Sequence, residues 1–270
     1  MNFGLTFLLQ FFIFFIPGLV KDDTYSNKSD ETEVIIIGTV HESTPNFTAD
    51  TLINFFIKVR PDLILLETDS SYFNSDFSLK EDIMYMSPET ISITEYTKKH
   101  SVKLRPYDIN GRDQFLDDPD RLNNQYGFFN DIESLNENGK FNKEAAAVYL
   151  KIKNMTELAD ELSNETLTYI NSSDGSKKID TINYYTYEGL KRLIEYTPEL
   201  SKYSSYWNEE CDYKDKRNNV MLKNILDISG EFKGNKIIVM CGFAHKNFLV
   251  KELTDKSGEY ELEVKEPDDY

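Results

Sequence analysis

Three histidines occur in the 270-residue chain, and two of them share a local pattern. His41 closes IIIGTVH (Ile35 to His41) and His245 closes IVMCGFAH (Ile238 to His245). Each follows an apolar, largely β-branched run and stands three positions after a glycine. In open parallel sheets, ligands collect beyond the carboxyl ends of the strands, where small residues let the chain turn sharply. Glu67 ends another apolar run, DLILLE, and is expected at the same rim. Two imidazoles and a carboxylate there allow two chemistries. They could ligate a divalent transition metal (Mn, Co or Zn) with positions left for water. Alternatively, His41 could work without metal as a general base oriented by Glu67. A lone histidine after a strand is more often a satisfied cap, but here the context repeats. His100 lacks it and is expected to cap the carboxyl end of its helix.

Further candidates gather around these three. Arg217 and Met221 stand four apart, on one helix face. Arg217 either steadies a developing anion or pairs at the surface with Glu210, Asp212 or Asp215. Asp108, Asn110 and Arg112, in YDINGRDQF, serve either the rim or an Asx turn around Gly111. Glu42, directly after His41, is an alternative carboxylate to Glu67. Gly38 and Gly242 are the turn glycines of the repeated pattern. No serine or cysteine nucleophile elbow is evident, which favours attack by water over a covalent route.

The elements that must position these residues alternate. EVIIIGT (Glu33 to Thr39), DLILLE (Asp62 to Glu67) and KIIVMC (Lys236 to Cys241) read as strands buried on both faces, with VKLRPY (Val102 to Tyr107) as another. Helices are predicted over Thr48 to Val59, Ser87 to His100, Ala145 to Leu162, Asp212 to Ile228 and Ala244 to Thr254. Strand and helix in alternation imply βαβ units. The expected fold is α/β, a mainly parallel sheet with a large helical insertion over 117–210 and a C-terminal edge strand, Tyr260 to Lys265, turning Tyr260, Leu262 and Val264 inward. Positions 33–270 form the domain, after a signal peptide or N-terminal anchor at 1–20 and a polar linker at 21–32.

The run from Phe3 to Val20 implies export, with the protein secreted, periplasmic or membrane-anchored; any membrane contact would be through this segment if it stays uncleaved. Thirty Lys+Arg against 47 Asp+Glu give a net charge of −17, with no basic stripe, so nucleic acid is excluded as a partner. The expected partner is a peptide or small-molecule substrate. Cys211 and Cys241 suffice for one disulfide bridge in an oxidising compartment, though sequence does not give their pairing.

The set Gly38 and His41 in GTVH, Glu67 in LLETD, Arg217 with Met221 in RNNVM, and Gly242 and His245 in GFAH resembles the TraB/GumN/Tiki superfamily over about Val34 to Lys251. Erythromycin-esterase-like and haem-uptake-type proteins are more distantly similar. The resemblance implies a metal-dependent hydrolase, a peptidase in Tiki-like members, with the two histidines and the glutamate as metal-binding or catalytic residues. The family's acidic strand end is usually ELD, whereas this chain has Leu66-Glu67-Thr68-Asp69, so either Glu67 or Asp69 is the functional carboxylate. A non-catalytic protein holding a metal, haem or small ligand at the same rim is the alternative of another class.

Overall fold

Residues 31–270 are described in the computed structural model of this protein. The apolar segment 1–20 and most of the polar linker lie outside the described residues. Strands form where β-branched and apolar residues run together: β1 (Thr32–Thr39), β2 (Leu63–Leu66), β3 (Lys103–Pro106), β4 (Lys236–Gly242) and β5 (Leu262–Lys265). Every pairing is parallel, in the order β3-β2-β4-β1-β5. Successive side chains of a strand face opposite ways. Thus Ile35, Ile37, Ile64 and Ile238 enter one core layer, and Val34, Ile36, Leu63 and Val239 enter the other. Both faces are covered, which is why these strands carry no polar alternation.

One layer is completed by α1 (Ala49–Val59) and α2 (Pro88–Thr97), through Leu52, Phe56 and Ile93. Thr48 caps α1, whose end at Arg60 takes a left-handed conformation just before Pro61. Ser87 caps α2, and Pro88, which has no N–H to lose, opens it. Then come α3 (Arg112–Leu116), α4 (Pro119–Glu137), α5 (Lys143–Ser163), α6 (Leu167–Asn171), α7 (Ser173–Tyr184), a π-helical turn at Tyr185–Gly189, and α8 (Leu190–Tyr196). With Trp207 from the long helix that follows, these helices build a core of their own around Phe128 and Leu193, while α6 and α7 contribute Ile170 and Ile179 to the first sheet layer. The second layer comes from α9 (Ser204–Glu231) and α10 (Phe243–Tyr260), through Met221, Ile225, Leu249 and Leu253.

The structure settles several local points. Tyr260 is the last residue of α10 rather than part of the edge strand; Glu261, at φ 56°, makes the turn into β5. His100 lies just beyond α2; its N–H donates to Tyr96 O at 3.0 Å, bonding a carbonyl of the last turn, and its ring stacks on Tyr96 at 4.4 Å. The two cysteines are unbridged: Cys241 is buried in the second sheet layer, and Cys211 packs against the core of the insertion.

Candidate functional site

The neighbouring strands β2, β4 and β1 end together. Parallel register sets Thr39 opposite Gly242 and Leu66 opposite Met240. Their carboxyl ends deliver His41, Glu67 and His245 to one cleft of about 560 Å³, lined also by Glu42, Arg112 and Arg217, by Asp160 of α5 and by Asn164 just beyond it. The two G-x-x-H segments nevertheless take different backbones. His41 stands in the loop before α1 with its side chain 57% exposed, whereas His245 lies in the first turn of α10 and is largely buried.

Arg217, on α9, reaches the centre of this group. Its Nε and Nη2 donate to Asp108 Oδ1 and Oδ2 at 2.9 and 2.8 Å, and Nη2 also donates to Glu67 Oε1. Its Nη1 lies 2.9 Å from His245 Nε2. A guanidinium has no acceptor. His245 Nε2 therefore accepts, and the ring proton sits on Nδ1, which donates to Asn218 Oδ1 at 2.7 Å. Burial pushes the His245 pKa down and Arg217 pushes it the same way, against the opposing pull of Glu67. His245 is a neutral imidazole with both nitrogens engaged. The other oxygen of Glu67 accepts the Gly242 N–H at 2.6 Å. Burial works against the charge of Glu67, but Arg217, His41 and this N–H hold its pKa below the usual value. Burial likewise opposes the charge on Arg217, and the two carboxylates outweigh it.

This donor set does not fit a resident divalent ion. The lone pairs that His245 and Glu67 would offer a metal face Arg217 and the Gly242 N–H. Among the described residues, no three His, Cys, Asp or Glu side chains are grouped to hold one.

His41 is placed differently. Its Nδ1 lies 3.3 Å from Glu89 Oε1, on a carboxylate side chain that is only 10% exposed. Glu89 belongs to the first turn of α2. Neither of its oxygens has a hydrogen-bond partner among the described residues, so His41 is its charge partner. The Glu89 carboxylate raises the His41 pKa above its ordinary value, against burial and the repulsion of Arg112. The His41 Nε2 edge faces Gly242, where an added Cβ would lie 3.0 Å from that nitrogen. Gly242 has φ −53° and ψ 137°, allowed for any residue, so the glycine is required for space rather than for conformation. Gly242→Ala is expected to leave thermal stability within about 0.5 kcal/mol of the parent. Displacing the ring should lower any His41-dependent turnover at least about tenfold; unchanged turnover would show that the ring has no fixed place there.

The remaining candidates separate cleanly. Asp69 is turned away from the cleft: its Oδ1 accepts Ser71 N–H at 2.7 Å and its Oδ2 accepts Gly111 N–H at 3.2 Å, so it pins two loops. Asp108 is fully buried beneath Arg217, and Asn110 Oδ1 accepts from Ser70 as a turn brace. Met221 packs in the sheet core, away from the cleft. The surface pairs considered for Arg217 go elsewhere, Glu210 to Arg121 and Asp215 to Lys214. Glu42 is exposed at the cleft wall. Arg112 lines the cleft with its Nε 4.0 Å from Asp108 Oδ2, an oxygen that Arg217 already holds.

Three residues of the site gave no motif to read. Glu89 sits in a helix-opening Ser-Pro-Glu, where an acid is ordinary. Asn218 simply follows Arg217. Buried Asn171, ending α6, accepts the Gly38 N–H at 2.7 Å and donates to Gly38 O at 2.9 Å, clasping the end of β1 from the insertion. With this geometry in hand, comparison with known proteins finds no match to a family model, a curated protein or a solved structure.

Proposed function

We propose that this protein is a hydrolase of ester-type bonds in which His41, held by Glu89, takes a proton from an attacking water without a metal ion. One observation carries the reading: the single open imidazole of the cleft is backed by a buried carboxylate that has no other partner. A buried carboxylate behind a histidine fixes the ring and favours the imidazolium formed when it accepts a proton. His245 is unsuited to that role, because Arg217 and Asn218 occupy both its nitrogens. Arg217, fixed in place by Glu67 and Asp108, supplies preorganised positive charge beside the reacting carbonyl. Arg112 supplies a second, less engaged guanidinium. The resemblance to hydrolase families around GTVH and GFAH supports the same class.

The test is turnover of a panel of p-nitrophenyl esters by the purified protein, with and without EDTA, alongside His41→Gln. Turnover that survives EDTA and is lost in His41→Gln is the expected result. Turnover abolished by EDTA and restored by Mn, Co or Zn would replace this reading with the metal-dependent one. Absence of turnover across ester and peptide panels would favour a binding role.

A further inference from the structure

A smaller cavity, of about 60 Å³, lies between the carboxyl ends of β1, β2 and β4 and the start of α2, and His41 lines both it and the cleft. That is room for one or two waters, at about 30 Å³ each, and too little for a substrate. Most polar groups of the lining are already spent. Thr39 Oγ1 donates to Cys241 O at 3.2 Å, Ser87 Oγ accepts the Thr90 N–H at 3.3 Å, and Thr90 Oγ1 donates to Ser87 O at 3.1 Å. Glu67 is taken by Arg217 and the Gly242 N–H.

Two lining residues keep unspent oxygens. Thr68 Oγ1 and both carboxylate oxygens of Glu89 are shielded from bulk solvent, and none of the three has a hydrogen-bond partner among the described residues. Glu89 as a whole is 7% exposed. Its Oε1 stands at ion-pair distance from His41 Nδ1, 3.3 Å, a contact that does not serve Oε2. Buried oxygens of this kind are almost always bonded, to protein or to ordered water. The need is greatest for a carboxylate, whose charge is the costliest to bury bare. A buried water typically joins about three such groups. Here three unspent oxygens belong to the lining of one water-sized space.

We propose that this cavity seats one or two ordered waters that bridge Thr68 Oγ1 to the Glu89 carboxylate, making Thr68 a positioning residue for the His41–Glu89 pair. The Thr68 hydroxyl donates to the water and the water donates to Glu89, so the carboxylate keeps its charge and its orientation toward His41. Valine has nearly the same shape without the hydroxyl and would anchor no water. That the pair serves catalysis rests on the proposed function; the hydration of Glu89 does not.

The test is a high-resolution crystal structure of the full chain, together with thermal unfolding and ester turnover of Thr68→Val and Thr68→Ser. Solvent density within about 3.2 Å of both Thr68 Oγ1 and a Glu89 oxygen is expected in the parent. The serine variant should keep that density and the valine variant lose it. The sign of the stability change separates a bridged site from a dry one. If water bridges, Thr68→Val loses its anchor and the unfolding midpoint should fall by about 2–4 °C. If the site is dry, the same change removes an orphaned hydroxyl and should leave the midpoint level or raise it. In turnover, Thr68→Val should lower kcat about fivefold, the rate equivalent of one hydrogen bond, with KM unchanged and Thr68→Ser restoring the rate. Absence of density at the site, or a midpoint level or raised in Thr68→Val, would overturn the proposal. So would a peak that strengthens when rubidium chloride replaces sodium chloride, which would make this a cation site. Unchanged kcat in Thr68→Val beside an active parent would strike the positioning role. An inactive parent would strike only the hydrolase reading, since density and midpoint still decide the hydration.

Discussion

Replacing Arg217 with methionine is expected to destabilise the protein by about 3–5 kcal/mol, the cost of leaving buried charges without their partner. The side chains of Glu67 and Asp108 are 6% and 0% exposed, and Arg217 is the guanidinium that both share. Methionine would fill much of the volume but donate nothing, so the loss would be electrostatic rather than a cavity effect. The pH dependence separates the two causes. In the parent, the depressed pKa of Glu67 contributes stability that is present above its unfolded value and lost as pH falls through the lower folded value. In Arg217→Met, burial opposes the charge of Glu67 with only the Gly242 N–H and His41 left to offset it, and the carboxyl can relieve its cost by protonating. The difference between parent and variant in urea denaturation should therefore be largest near neutral pH and narrow as pH drops toward 4. Arg217→Lys should recover only part of the loss, because an ammonium cannot reproduce the two-pronged contact with Asp108. A destabilisation of less than about 1 kcal/mol in the methionine variant would show that the network is not held by its cation.

The second large effect concerns rate. His41→Ala is expected to reduce ester turnover about 10²- to 10⁴-fold, the usual contribution of a positioned general base. The fold should persist with a modest loss of stability, because the His41 side chain is more than half exposed but the buried Glu89 carboxylate loses its charge partner. Turnover by the parent should rise with pH through a limb lying above the ordinary histidine value, since Glu89 raises the His41 pKa. Glu89→Gln should move that limb to lower pH while lowering the maximal rate, a displacement that loss of packing alone would not produce. The linkage sign is opposite for stability. With a raised folded pKa, the stabilising effect of the His41–Glu89 pair is complete below the unfolded value and fades as pH rises through the folded one. The pair thus stabilises the fold least where the base is most active. A pH limb unmoved in Glu89→Gln would detach Glu89 from the chemistry.

The fold was largely legible because burial on both faces demands unbroken apolar runs, and Glu33 to Thr39, Asp62 to Glu67 and Lys236 to Cys241 supply them. The order of the strands was not. Nothing local tells β4 to insert between β1 and β2, since pairing between segments so far apart depends on side chains meeting across the whole sheet. Likewise, His41, Glu67 and His245 could be seen to share a rim from their positions after strands. Their roles could not, because these depend on where the guanidinium of a distant helix arrives. The turn after β2 settles one ambiguity that the letters left open: Glu67 enters the cleft, while Asp69 caps the short helical turn that follows. Glu89 stayed hidden because an acid in the first turn of a helix is explained well enough by the helix dipole.

The Asn171 clasp on Gly38 bears on how the molecule breathes. A carboxamide from α6 fills both hydrogen-bonding positions of the glycine that precedes His41, and further donates to Leu167 O at 2.8 Å within its own helix. The insertion cannot lift from the sheet without stripping the terminal residues of β1 of these bonds. In hydrogen-exchange language, the roof and the His41 loop belong to one cooperative unit, and the Gly38 amide is its clock: solvent deuterium reaches it only in openings that also unseat His41.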